Sequence, residues 1–173
     1  MGWMFQGAKA FNQPVGNWDV SRVTDMSGMF REAASFDKPI NKWRVGRVTD
    51  MRAMFQDARS FNQSMIWWDV SQVTNMTRMF SGAEVFNQPI GHWDTGKVTN
   101  MAWMFAYATV FNQPIDRWNT SKVTNMHYMF YFADAFNQPI GKWNVSKVVD
   151  MTKMFSATTS FKQDLSHWIQ LKK

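Results

Sequence analysis

The chain has no cysteine, and only five prolines, three histidines and three tyrosines among its 173 residues. Without cysteine there is no disulfide, no thiol nucleophile and no cysteine-ligated metal. Charged residues make up only 18% of the chain, against 45% apolar residues, so intrinsic disorder is excluded. No apolar run approaches the roughly 18–20 residues that a membrane helix needs. The opening segment MGWMFQGAKAFNQP has no basic stretch leading into an apolar one, so no signal peptide is predicted. Acidic residues are the scarcer charge, 13 against 19 basic, and the net charge of +6 permits an acidic partner without demanding one.

What is abundant is methionine, tryptophan and phenylalanine, and all three are periodic. Phe recurs at 11, 36, 61, 86, 111, 136 and 161, always 25 residues apart. Trp does so at 18, 43, 68, 93, 118, 143 and 168, and Met at 1, 26, 51, 76, 101, 126 and 151 and again three residues further on. The unit reads F-N-Q-P-I-x-x-W-x-V-S-x-V-T-[DN]-M-x-x-M-F-x-x-A. Almost seven copies fill residues 1–173 as one domain without insertion, with a partial copy at each end. Such a period predicts a solenoid with one coil per repeat. Ordering 25 residues costs more than one coil's burial returns, so neighbouring coils must complete each other's core.

Two periodicities divide the coil. Met26, Met29, Phe30 and Ala33 fall at i, i+3, i+4, i+7, which predicts a short helix. Thr24-Asp25 and Thr74-Asn75 stand where N-caps would. Trp43 and Val45 alternate as in a strand, and Pro39, Pro89, Pro114 and Pro139 precede the corresponding segments. The expectation is an α/β, right-handed, leucine-rich-repeat-like solenoid of about seven coils, each with one short parallel strand and one short helix. Strands pair at about 4.8 Å and helices pack at about 8–10 Å, so that arrangement would curve with its strands inside.

The repeated unit FNQPIxxWxVSxVTNMxxMFxxA resembles the BspA-like leucine-rich-repeat surface-protein family, with I-x-x-W-x-V standing where leucine-rich repeats carry L-x-x-L-x-L. Ser64 and Asp164 depart from its proline, and Val149 from its threonine. The resemblance covers the whole chain. It implies a leucine-rich-repeat-like solenoid acting at a cell surface, in adhesion or partner binding.

Candidate function sits where the copies differ. On the helix-side surface, early repeats carry small or charged residues, whereas the fourth and fifth carry Trp103, Tyr107, Tyr128, Tyr131 and Phe132. An exposed aromatic cluster predicts a protein interface, and lateral packing is its plain alternative. On the strand face, Lys42, Arg44, Trp67, His92, Lys97, Arg117, Lys122, Lys142 and Lys147 predict a basic groove for an acidic or glycan ligand. A merely solvated face is the alternative there, and nucleic acid is disfavoured for want of an accompanying motif.

Neither a catalytic group, a metal site nor a cofactor site is predicted. The Met-x-x-Met pairs coincide with the core stripe, and His92, His127 and His167 lie in different repeats. No phosphate loop or nucleophile motif occurs. Asn62, Asn75, Asn119 and Asn144 head glycosylation sequons that arise largely from the repeat itself. The threonine column at 24, 49, 74, 99 and 124 could be read as an ice-binding ladder, but helix capping accounts for it more simply. Both ends fall inside a repeat, so the chain is expected to belong to a longer array or assembly. Lys172 and Lys173 would soften the exposed end. The reading as a whole is non-enzymatic: a scaffold or interaction protein.

Overall fold

The computed structural model describes residues 1–171, and Lys172 and Lys173 lie outside it. The predicted α/β architecture is not what forms. Among the described residues the one regular helix is α1, Ser166–Leu171, and there is no sheet. Strand-type pairing is confined to isolated parallel bridges, Asp25–Asp50, Asp50–Asn75, Asn75–Asn100, Asn100–Asn125 and Asn125–Asp150. Successive repeats lie in register one upon the next, but each is built almost entirely from turns.

The Met-x-x-Met segment shows why a helix fails. In a helix each N–H bonds within its own segment. Here the N–H groups of Met26, Gly28, Phe30 and Glu32 instead donate to the carbonyls of Asp50, Arg52, Met54 and Gln56 in the following repeat, at 2.7–3.0 Å. The intervening N–H groups of Met29, Arg31 and Ala33 close tight turns onto Met26, Gly28 and Phe30. That alternation needs left-handed residues, and they recur in two columns. The first holds Trp3, Gly28, Ala53, Arg78, Trp103, Tyr128 and Lys153, and the second Gly7, Glu32, Asp57, Gly82, Tyr107, Phe132 and Ala157, with φ between 53° and 71°. A left-handed residue twice in each segment is incompatible with a right-handed helix.

The apolar spacing still places side chains correctly. Met26, Met29, Phe30 and Ala33 are fully buried, as are their counterparts through the central repeats. Trp43 and Val45 are buried too, although their backbone turns rather than extends, with Trp43 N–H bonded to Ile40 O and Val48 N–H to Val45 O. Because no helix layer opposes a strand layer, the two-spacing argument for curvature has no basis in this chain.

Phenylalanine fills the interior as two continuous columns. Phe30, Phe55, Phe80, Phe105, Phe130 and Phe155 stack at 5.6–5.8 Å. Each also stacks on its repeat partner, as Phe80 does on Phe86 at 4.0 Å. Trp43 donates its indole N–H to Val15 O at 3.0 Å, and Trp68, Trp118 and Trp143 repeat the bond to Ile40, Ile90 and Ile115. The Trp93 indole N–H is buried without an acceptor among the described residues. Its equivalent acceptor would be Met65 O, in the repeat where Ser64-Met65 replaces Pro-Ile.

Polar ladders close the coil. Asn12 Oδ1 accepts from Asp37 N–H, and the pattern continues through Asp37, Asn62, Asn87, Asn112 and Asn137 at 3.0 Å. The residues expected to cap helices form Asx turns instead. Asp25, Asp50, Asn75, Asn100, Asn125 and Asp150 each accept the N–H two residues on. The threonine column is tied down rather than capping: the hydroxyls of Thr49, Thr74, Thr99 and Thr124 donate to the preceding threonine's carbonyl.

Candidate functional site: an aromatic patch on left-handed backbone

The five aromatics predicted as an interface come together. Trp103 stacks on Tyr128 at 4.2 Å with rings nearly parallel, and Tyr107 on Phe132 at 5.4 Å. Tyr131 sits between the two pairs, edge-on to Trp103, Tyr107, Tyr128 and Phe132 at 4.6–6.0 Å. Lateral packing and exposure therefore coexist. The rings cover one another, yet Tyr107 and Phe132 stay 43% and 38% exposed, with the other three half-buried.

Four of the five occupy the left-handed columns, with φ of 60° at Trp103 and Tyr107, 55° at Tyr128 and 54° at Phe132. A non-glycine residue there costs roughly 1–2 kcal/mol. Other repeats place Gly28, Gly82 or Gly7 in the same columns, so the backbone does not require aromatics. Along the first column the patch is bounded by cations. Arg78 lies over the Trp103 ring at 5.4 Å, and Lys153 over the Tyr128 ring at 5.7 Å. The order Arg78, Trp103, Tyr128, Lys153 is a cation–aromatic–aromatic–cation stack across four repeats.

Titratable groups at its edge are arranged consistently. His127 is edge-on to Tyr128 at 4.5 Å, and its Nδ1 lies 3.5 Å from Asp150. The Thr152 N–H and hydroxyl, with a smaller contribution from His127, hold Asp150 below the usual carboxylate range. Partial burial, then the charge and hydrogen bond of Tyr131, push the Tyr107 phenol above its ordinary value.

All nine basic-face candidates, Lys42, Arg44, Trp67, His92, Lys97, Arg117, Lys122, Lys142 and Lys147, are exposed. They flank buried Trp and Val residues on turns, not on strands. Lys97 Nζ donates to Gln72 Oε1 of the preceding repeat at 2.6 Å. The carboxamide oxygens at Asn62, Asn75, Asn119 and Asn144 are all engaged, in the ladder or in Asx turns. Sequence reasoning missed the left-handed columns and the asparagine ladder. Gly7, Gly28 and Gly82 falling in two fixed registers, and Asn in the second place of nearly every repeat, were the available signals.

Among the described residues no helix is long and apolar enough to cross a membrane. No curated protein and no solved structure matches the chain. The family model described as "Mycoplasma protein of unknown function, DUF285" matches residues 1–90 and again 65–168. Two overlapping matches along one chain are what a tandem repeat gives. The protein therefore belongs to the DUF285 family, the BspA-like repeat family in its general sense.

Proposed function

We propose that this protein is a non-catalytic binding repeat that engages a protein partner through Trp103, Tyr107, Tyr128, Tyr131 and Phe132. The observation that carries the reading is the placing of four exposed or half-buried aromatics on backbone that glycine would occupy with less strain. A stack gains nothing internal by this that its other repeats lack. An aromatic patch bounded by Arg78 and Lys153 suits a partner offering an apolar surface with acidic groups at its rim. Adhesion at a surface is one setting for such a patch.

The test is affinity capture from the native source with the wild-type chain, followed by quantitative binding of the purified partner. The triple substitution Tyr128→Ser, Tyr131→Ser and Phe132→Ser keeps the buried columns and is expected to weaken binding by about 100-fold or more. An unchanged affinity, or no partner that distinguishes the two chains, overturns the reading.

A further inference from the structure

Repeat regularity also fails on a different face of the coil, at neighbouring positions of the second and third repeats. The column just before the core tryptophan reads Asn17, Lys42, Trp67, His92, Arg117, Lys142, and Trp67 is its one apolar member. It is 75% exposed, and the preceding Ile66 is 46% exposed. The column just after the core tryptophan reads Asp19, Arg44, Asp69, Asp94, Asn119, Asn144. Each of these except Arg44 accepts the N–H two residues on. Arg44 gives up that local bond and leaves a guanidinium in its place.

These departures converge. Lys42, Arg44, Gly46, Trp67 and Asp69 line one open cavity of about 450 Å3. Lys42 and Arg44 also line an adjoining groove of about 220 Å3 with Asn17 and Asp19. A Cβ at Gly46 would stand 3.1 Å from Asp69 Oδ2, so the glycine leaves that oxygen uncrowded. Asp69 Oδ1 is taken by the Ser71 N–H, which leaves Oδ2 directed toward Gly46. The hydroxyl and N–H of Ser71 hold this carboxyl below its usual range, so it is an acceptor at neutral pH.

We infer that this cavity binds a carboxylate-bearing saccharide, a hexuronate unit within a glycan. Its apolar ring face lies on the Trp67 indole, its carboxylate meets Arg44 and Lys42, and a hydroxyl donates to Asp69 Oδ2. An exposed indole offers a flat apolar surface for the C–H face of a pyranose. A guanidinium suits a carboxylate through paired N–H donors. Asp69 Oδ2 beside the two cations gives the lining an acceptor for a sugar hydroxyl as well as donors for a carboxylate, the pair of groups that a hexuronate carries on one ring. The inference does not rest on the aromatic-patch reading, because the two sites share no residue.

The test titrates the intact chain with two hexuronate probes of different linkage, a hyaluronan hexasaccharide and a galacturonate hexamer. Maltohexaose and hexaglutamate serve as neutral and peptidic controls. Binding is followed by calorimetry and by the indole N–H resonance assigned to Trp67 through its loss in Trp67→Lys. Trp67→Lys and Arg44→Asn both install residues that sibling repeats carry in the same columns, so the stack keeps its melting temperature. At least one hexuronate is expected to shift the Trp67 resonance, with each substitution weakening it by about tenfold or more and both controls binding at least about tenfold more weakly. The triple substitution at Tyr128, Tyr131 and Phe132 leaves this binding unchanged, which separates the two sites. Silence of Trp67 toward both hexuronates, an equal response to hexaglutamate, or full binding by Trp67→Lys overturns the proposal.

Discussion

The inner phenylalanine column and the first left-handed column run side by side through the same chain segment, two residues apart, and obey opposite rules. Phe30, Phe55, Phe80, Phe105 and Phe130 are identical and fully buried in successive repeats. Gly28, Ala53, Arg78, Trp103 and Tyr128 share one backbone conformation but almost no chemistry. Inside, each ring must fill the space between rings above and below, so a change in any repeat is felt by its neighbours. In the left-handed column φ is fixed while the side chain varies, from Gly28 and Ala53, which are buried, to the exposed Arg78. Uniform columns report the scaffold, and variable ones report what the scaffold presents.

The largest test of that contrast is Phe80→Ala. It removes a ring that stacks on Phe55, Phe86 and Phe105, and should cost about 3–5 kcal/mol in denaturant unfolding. A loss below about 1 kcal/mol would mean that the columns are not mutually supporting. The tryptophan column allows a finer comparison. Trp43→Phe removes the indole bond to Val15 O, which keeps its bond from the Trp18 N–H, and should cost about 0.5–1.5 kcal/mol from that loss. Trp93→Phe removes an indole N–H that has no acceptor among the described residues, so it should cost less than Trp43→Phe by about 1 kcal/mol. Equal losses would mean that the hydrogen bond contributes nothing.

The smallest effect is a reversal of sign under one and the same substitution. Ala133→Gly, in a fully buried column, should destabilise by about 1 kcal/mol. Ala157→Gly, exposed at φ 60°, should stabilise by about 0.5 kcal/mol, since glycine relieves the left-handed strain at some cost in unfolded-chain entropy. Paired thermal melts read both. The same sign at both positions would erase the distinction between the columns.

Much of this was legible beforehand, but not the backbone that carries it. The spacing of Met26, Met29, Phe30 and Ala33 identifies which side chains face inward, and they do. It does not identify a helix, because a chain of alternating tight turns can bury the same positions. Similarly, Trp43 and Val45 point inward without belonging to a strand. The aromatic cluster at Trp103, Tyr107, Tyr128, Tyr131 and Phe132 was visible because it interrupts a column of small and charged residues. Its left-handed backbone was not, since nothing in Trp or Tyr favours positive φ.

The 25-residue period by itself determined that like residues would lie over like, that Phe, Trp and Met would form the interior, and where the exceptions would stand. Burial follows the pattern of apolar residues, and that pattern is written in the chain. Only the tertiary structure decided how each backbone N–H would be satisfied. A lone segment has no partner but itself and would turn helical or extended. Once the next repeat lies against it, carbonyls such as those of Asp50 and Met54 become available to Met26 and Phe30, and pairing between repeats displaces pairing within one.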